Sequence, residues 1–167
     1  MAHYQPFDMN AYTDRARNGP CFVCEMLAGN PDYQHHIIYE SETAVAFLNK
    51  YPTLYGYTLV APKKHCEQVT GDFSLEEYLA LQQFIFWIAE ALRQTVLTER
   101  IYILSLGSQQ GNRHVHWHIV PLPPGVPYEE QQIETLRQSR GVLKLSEEEM
   151  ATLARTIRQT LKMLGVF

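Results

Sequence analysis

The chain has 167 residues, enough for one domain with a well-formed hydrophobic core. Hydrophobic residues account for 46% of the sequence and charged residues for 19%, which is typical of globular proteins. The formal net charge of −4 argues against general nucleic-acid binding, because that function needs a broad basic surface. We therefore expect no nucleic-acid partner.

The sequence carries no visible signal for export or membrane insertion. No basic segment followed by an apolar run comes after Met1, and no apolar stretch reaches membrane-spanning length. The cysteines Cys21, Cys24 and Cys66 are too few, and odd in number, for a secreted disulfide framework. We expect a cytoplasmic protein without a membrane partner.

The first half of the chain predicts short elements separated by turns. Residues 1–19 are polar and predict an irregular extension. A short helix is expected over residues 21–28, because a Gly-Asn-Pro sequence follows it. Short β-prone runs predict strands at residues 36–39 and 43–48, joined as a hairpin, and at residues 57–62 and 100–106.

A long helix is predicted after Phe73. Ser74 and Glu77 match a capping box, and the apolar periodicity continues to about residues 95–97. Phe86 and Trp87 extend the apolar surface of this helix beyond one face, which is typical of a core or dimer contact.

A second helix is predicted near the C-terminus, where Ser146 and Glu149 again match a capping box. Several strands clustered around one long helix predict an α+β fold with a largely antiparallel sheet.

Three histidines alternate with apolar residues between residues 111 and 121. The alternating residues are His114, Val115, His116, Trp117, His118 and Ile119. Alternation is the period of a β-strand, so the three imidazoles should share one face while the apolar side chains pack on a core. The sequence predicts a strand with a row of imidazoles facing a cleft.

The histidines lie in a locally basic part of an acidic protein. Neither residues 43–66 nor residues 100–128 contain an Asp or Glu, whereas Lys50, Lys63 and Arg113 lie within them. This distribution suits a small anionic ligand, although buried strands also commonly lack carboxylates.

Two kinds of chemistry fit a row of imidazoles. A metal centre built from the three histidines alone normally adds carboxylates, which both neighbouring stretches lack. Phosphorus chemistry needs none, because a neutral imidazole is a competent nucleophile and a neighbouring one can contact phosphate oxygens. The small polar loop at residues 107–112 could cradle a phosphate with its amides, so we favour the second interpretation.

The segment at residues 114–120 resembles the signature of the histidine triad (HIT) family of nucleotide hydrolases and transferases. The resemblance extends to the Cys-x-x-Cys of Cys21 and Cys24, to residues 46–49 and to residues 57–65. Together these motifs cover about residues 20–121. The resemblance implies a HIT-like α+β fold with about five antiparallel strands, one long central helix and an additional C-terminal helix, in subunits that pair as homodimers.

The resemblance also implies roles for individual residues. His116 would be the nucleophile that forms a covalent nucleotidyl-histidine, flanked by His114 and His118 as phosphate contacts. Asn49 matches the position that binds the ribose. The phosphate-binding turn would consist of Ser108, Gln109, Gln110, Gly111 and Asn112. His118 stands where the uridylyl-transferase branch usually has Gln, which favours the hydrolase or phosphorylase branches.

A second site is implied on the N-terminal side. Cys21 and Cys24 have the spacing of metal ligands, and His65 and His114 could complete a four-ligand zinc site. Bacterial relatives bind structural zinc at these positions, so zinc would be a staple and no catalytic cofactor is expected. The alternative is that the cysteines pack as small buried hydrophobes. The remaining histidines, His3, His35 and His36, lie outside any motif, and we expect them to be surface or turn residues without a functional role.

The residues together with the resemblance imply three segments and one reaction. The segments are an N-terminal extension at 1–19, a HIT domain at 20–125 and a C-terminal extension at 126–167 whose helix packs on the domain. The reaction is hydrolysis or phosphorolysis of a dinucleoside polyphosphate, such as diadenosine tetraphosphate, or of a nucleoside phosphoramidate. The alternative function is a zinc-stapled nucleotide-binding or interaction protein with little catalysis.

Overall fold

The computed structural model describes residues 3–106 and 113–167, with the backbone alone at positions 133, 134 and 139. Its centre is a five-stranded antiparallel sheet in the order β2-β3-β4-β6-β5. The strands are β2 Ile37–Glu40, β3 Ala44–Leu48, β4 Thr58–Pro62, β5 Arg100–Leu104 and β6 Trp117–Leu122. The predicted α+β class with a largely antiparallel sheet is confirmed.

The described part of the chain contains five α-helices. They are α1 Met9–Asn18, α2 Phe22–Leu27, α3 Leu75–Thr95, α4 Gln131–Glu134 and α5 Glu147–Met163. Both predicted capping boxes are present. The hydroxyl groups of Ser74 and Ser146 accept from the backbone N–H groups of Glu77 and Glu149, and the carboxylates of these glutamates accept from the backbone N–H groups of the serines. None of the described helices is long and apolar enough to cross a membrane.

The sheet separates two hydrophobic cores. On one side, α3 and α5 pack against a large cluster that includes Ile88, Ile157 and Trp117. On the other side, α2 covers a smaller cluster around Phe47 and Val120. Because Val115, Trp117 and Ile119 lie in the first core, the alternating residues His114, His116 and His118 lie on the second side of the sheet.

The histidine segment differs from the prediction in where its strand begins. Hydrogen-bonded pairing starts at Trp117, so His114 and His116 lie before β6 and His118 alone lies within it. Val115 and Ile119 nevertheless join Trp117 in the helix-side core, as the alternation predicts. The alternation of faces is therefore confirmed, whereas a strand reaching back to His114 is wrong. At that point the chain leaves the ladder and instead bonds through Val115 N to Cys66 O at 2.7 Å.

The expectation of an irregular extension at residues 1–19 is also wrong. Asp8 caps α1 by accepting from Ala11 N at 3.0 Å, and Arg15 lies in the last turn, where a cation favours the helix dipole. Before it, the short strand β1 (Tyr4–Gln5) pairs with β7 (Val142–Leu143). The helix cap at Asp8 and the pairing of β1 with β7 stabilise regular structure here, which the polar composition alone did not predict.

The C-terminal helix α5 packs on α3 and β2. Arg158 donates to the carbonyl oxygens of Ile37 and Ile38, both at 2.6 Å, and Glu147 pairs with His36 at 2.9 Å. These bonds tie the end of the chain to the first strand of the central sheet.

Candidate functional site

Four predicted metal ligands lie together on the α2 side of the sheet. The ligand atoms of Cys21, Cys24, His65 and His114 all lie within 4.8 Å of one another. Cys24 Sγ is 3.3 Å from His65 Nδ1, and Cys21 Sγ is 3.4 Å from His114 Nδ1. Tetrahedral zinc bound to sulfur and nitrogen separates such atoms by about 3.5 Å. The cluster could therefore hold a metal ion.

Both histidines in this cluster have their far ring nitrogens hydrogen-bonded. Nε2–H of His114 donates to the carbonyl oxygen of Pro62 at 2.8 Å, and Nε2 of His65 faces a carboxylate oxygen of Glu67 at 3.4 Å. A carbonyl oxygen can only accept, so Nδ1 of His114 is left with a lone pair directed at the cysteines. Carbonyl and carboxylate partners of this kind orient metal-bound imidazoles in proteins.

Local folding brings the two cysteines to the sheet. Cys21 is the N-cap of α2, and its Sγ accepts from Cys24 N at 3.5 Å, so the first turn places both sulfurs on one side. Burial, reinforced by the neighbouring Cys21, raises the pKa of the Cys24 thiol to about 11. A cation is thus needed to hold Cys24 as a thiolate at neutral pH.

Two hydrogen bonds hold His116, one made by its ring and one made by its backbone carbonyl oxygen. Nδ1–H donates to the carbonyl oxygen of His114 at 2.9 Å, while Ser105 Oγ donates to the carbonyl oxygen of His116 at 2.9 Å. Burial lowers the pKa of His116, which favours the neutral ring. The tautomer with a proton on Nδ1 leaves the Nε2 lone pair of His116 for nucleophilic attack.

His118 lies beside His116, with ring centroids 4.8 Å apart. Its Nδ1 is 2.7 Å from the Tyr57 hydroxyl, and burial lowers the pKa of His118 to about 3. Burial also raises the pKa of Tyr57, so the phenol keeps its proton and can donate a hydrogen bond to Nδ1. In that tautomer, Nε2 of His118 carries the ring proton and is a hydrogen-bond donor.

Tyr57 was not predicted as a functional residue. Leu59 on β4 pairs with His118 on β6, so these two side chains lie on the same face of the sheet. Tyr57 stands two residues before Leu59 and therefore lies on that face as well. That neighbourhood depends on the strand order, and a sequence motif alone does not reveal it.

An aromatic cluster continues from His116 toward the start of β2. Phe22 meets the His116 ring edge-on at 5.9 Å and lies 5.6 Å from His35, while Phe47 is 5.1 Å from His35. His35 lies in the connecting segment before β2, as expected for a turn residue, and is half-buried. Planar rings of this kind suit stacking with a nucleobase.

Of the residues expected to bind nucleotide, Asn49 lies within the described part of the chain. Asn49 follows β3 directly, and its Oδ1 accepts from Tyr51 N at 2.9 Å. Its side-chain amide nitrogen has no partner among the described residues. The predicted phosphate turn lies outside the described residues. Its members are Ser108, Gln109, Gln110, Gly111 and Asn112.

The local positive charge is smaller than the sequence indicated. Lys63 pairs with Glu40 at 3.0 Å and Lys64 approaches Glu77 at 3.9 Å. Within the described ranges, Lys50 and Arg113 form no ion pair. These two cations are therefore the ones left for an anionic ligand.

Comparison with known proteins identifies the family. The sequence model of the HIT domain matches residues 30–124, more than half of the chain. The chain belongs to the HIT family. This places it in a superfamily of nucleotide-binding hydrolases and transferases, and the four-ligand cluster and the histidine triad are parts of a HIT protein.

Individual HIT relatives agree with this assignment. An uncharacterised HIT-like protein of Mycoplasma genitalium is 35% identical over 104 residues, covering 60% of this chain and 72% of the relative. A zinc-bound histidine triad protein of Mycobacterium smegmatis has the same fold, with a TM-score of 0.67 at 23% identity over 87% of this chain and 96% of its own. The diadenosine triphosphate hydrolase of Plasmodium falciparum also shares the fold, with a TM-score of 0.58 at 18% identity over 77% of each chain.

Proposed function

We propose that this HIT protein is a nucleotidyl hydrolase or phosphorylase that works through a covalent nucleotidyl-His116. The observation that carries the proposal is the bond from His116 Nδ1–H to the His114 carbonyl at 2.9 Å, which leaves Nε2 as the nucleophile. Its neighbour His118 presents an Nε2–H donor for a phosphate oxygen. A nucleophile beside an oriented donor is what transfer of a nucleotidyl group requires.

The reaction has two steps. In the first, the Nε2 lone pair of His116 attacks the α-phosphorus, and the bond from phosphorus to the leaving group breaks. A polyphosphate leaves as its anion, whereas an amine takes a proton from water. In the second, the oxygen of water or phosphate attacks the same phosphorus, the P–N bond breaks, and the proton of the attacking group goes to solvent. Neutral His116 is restored, and its Nδ1–H still donates to the carbonyl oxygen of His114.

The proposed substrates are dinucleoside polyphosphates of the diadenosine tetraphosphate type, or nucleoside phosphoramidates. The fold shared with a diadenosine triphosphate hydrolase supports the first class. Asn49 would bind the ribose, and residues Ser108 to Asn112 would contact the phosphates.

The test is product analysis with diadenosine tetraphosphate, with and without inorganic phosphate. AMP plus ATP indicates that water resolves an adenylyl intermediate, and ADP plus ATP formed only with phosphate indicates phosphorolysis. AMP binding without cleavage of either substrate class refutes the enzyme and supports a nucleotide-binding protein.

We propose that the metal cluster binds structural zinc. Two sulfurs and two imidazole nitrogens are the ligands zinc prefers, and four protein ligands leave no open position for a substrate. Zinc would supply a cross-link: Cys21 and Cys24 from α2 would be fixed to the sheet through His65 and His114. The reaction itself would need no further cofactor.

We also propose a homodimer formed through β5 and α3. β5 is an edge strand, and a groove of about 380 Å³ runs between it and α3. Phe86 is 53% and Ile103 47% exposed beside this groove, and exposed apolar edges of this kind are commonly covered by a partner. Light scattering should give twice the chain mass, and Ile103→Lys should give the monomer, whereas Leu75→Lys, also on an exposed apolar residue, should not.

The division into residues 1–19, 20–125 and 126–167 and the cytoplasmic location are further proposals. The two outer segments meet each other through β1 and β7, which supports treating them as additions to the central domain. The three cysteines are free thiols, which suits a reducing compartment. Limited proteolysis and cell fractionation test these two proposals.

A further inference from the structure

His35 occupies a position for which the catalytic chemistry has no use. Its ring lies edge-on to Phe47, with centroids 5.1 Å apart, and 5.6 Å from Phe22. Phe22 in turn contacts the His116 ring. His35 therefore belongs to one wall of aromatic rings that begins at the proposed nucleophile.

The hydrogen bonds of His35 define its tautomer. Nδ1 is 2.8 Å from the carbonyl oxygen of Tyr33, which can only accept, so Nδ1 carries the proton. Burial lowers the pKa of His35, which favours the neutral ring over the cation. Nε2 is then a hydrogen-bond acceptor.

This acceptor has no partner among the described residues and is not sealed in the core. In the described part of the chain, the buried side-chain nitrogens and oxygens without a partner are Gln82 Nε2 and Gln131 Oε1. Because His35 is half-buried and is not among these sealed atoms, its Nε2 remains open to a ligand beside Phe22 and Phe47.

We propose that His35 reads the nucleobase, by accepting a hydrogen bond from an exocyclic amino group, and so favours a 6-aminopurine over a 6-oxopurine nucleotide. This rests on the proposed nucleotidyl transfer at His116, because it describes the base attached to the transferred phosphate. An amino group donates to Nε2, whereas a carbonyl oxygen at the same position would face another acceptor. An acceptor left unpaired in a half-buried site disfavours the wrong base.

The experiment uses two substrates that differ only at position 6 of the purine, the 5′-phosphoramidates of adenosine and inosine. The wild-type protein should favour adenosine by about 10-fold to 100-fold in kcat/KM, with the difference mainly in KM. His35→Phe keeps an aromatic ring against Phe22 and Phe47 but removes the acceptor. Its adenosine-to-inosine ratio should fall to about 1.

His36→Gln is the matched control, because His36 is the next residue but pairs with Glu147 instead of the aromatic wall. It should keep the wild-type ratio. The proposal is overturned if the wild-type protein does not discriminate between the two bases, or if His35→Phe keeps the preference.

Binding of AMP and IMP, measured by calorimetry on the same three proteins, separates this proposal from the catalytic one. If neither phosphoramidate turns over, the proposed reaction fails, and the ratio of the two dissociation constants decides the role of His35. A preference for AMP that His35→Phe abolishes supports it, and equal affinities in the wild-type protein refute it.

Discussion

His114 and His118 share a strand period and one face of the sheet, yet they lie in different environments. His114 is fully buried beside two cysteines, with Nε2 on a backbone carbonyl and Nδ1 toward the sulfurs. His118 is half-buried beside a second imidazole, with Nδ1 on the hydroxyl of Tyr57. The first ring directs a lone pair at the two cysteines, where a metal ion could bind, and the second can present an N–H to a ligand.

The comparison shows that the partner of the far nitrogen decides what an imidazole in this motif can do. His116 stands between the two and is joined to both sides, through the His114 carbonyl and through ring contact with His118. The four-ligand cluster, called the metal side here, thus supports the backbone that orients His116. Tyr57, called the tyrosine side, orients His118. Each side can be broken separately.

Removal of His116 should have the largest effect. His116→Gly should lower turnover by about four orders of magnitude or more, because no other group supplies the nucleophile. AMP affinity should change little, since the base and ribose contacts persist. Steady-state kinetics and calorimetry on one preparation check both. Near-normal turnover would contradict the assignment, whatever the effect on binding.

Loss of a cysteine ligand should break the metal side. Cys24→Ser should lose zinc, measured by elemental analysis, and about 3 kcal/mol of stability, which lowers Tm by about 6–12 °C in a chain of this size. A chelator should lower the Tm of the wild-type protein toward the same value and leave the variant unchanged. A variant with full stability and a wild-type protein without zinc would instead favour two buried thiols.

Tyr57→Phe should break the tyrosine side alone. It keeps the buried ring but removes the hydroxyl from His118 Nδ1, so the donor tautomer is no longer selected, and we expect kcat to fall about 10-fold with little change in KM. Tyr78→Phe is the control, because Tyr78 packs against Trp117 on the opposite face of the sheet. Equal kcat values for the wild-type protein and Tyr57→Phe would remove the proposed role of this bond.

The pH dependence of stability tests the burial of His118. The pKa of His118 is about 3 in the folded protein and near 6.5 when unfolded, so the unfolded state binds more protons between these values. Its contribution is fully present above pH 6.5 and is lost as the pH falls toward 3. His118→Gln should reduce the slope of unfolding free energy against pH by up to about 1.4 kcal/mol per unit. Urea unfolding at several pH values measures the slope, and parallel slopes would show that His118 titrates normally.

Much of the fold could be predicted from local signals. The capping boxes at Ser74 and Ser146 and the alternation of apolar residues around Trp117 depend on the nearest neighbours in the chain, and each appears as expected. The order of α1 was missed because polarity was taken as irregularity, although Asp8 is a sequence-visible cap. The pairing of β1 with β7 joins the two ends of the chain, and no local pattern reveals it.

The site was predicted less completely than the fold. Cys21, Cys24, His65 and His114 could be grouped because spacing and residue type are specific for metal binding, and they do lie together. Tyr57 and His35 could not be singled out from the sequence, because they are common residue types whose contacts with the histidines and aromatic rings depend on the strand order and packing.

The most direct test of the central claim is the mass of His116 during a single turnover. Excess enzyme is mixed with diadenosine tetraphosphate, quenched in alkali because phosphoramidates are acid-labile, and analysed by peptide mass spectrometry. We predict that one adenylyl group appears on the peptide containing His116 and decays as AMP or ADP is released, and that His116→Gly shows none. Product formation without an adduct on this peptide at any time would contradict the mechanism.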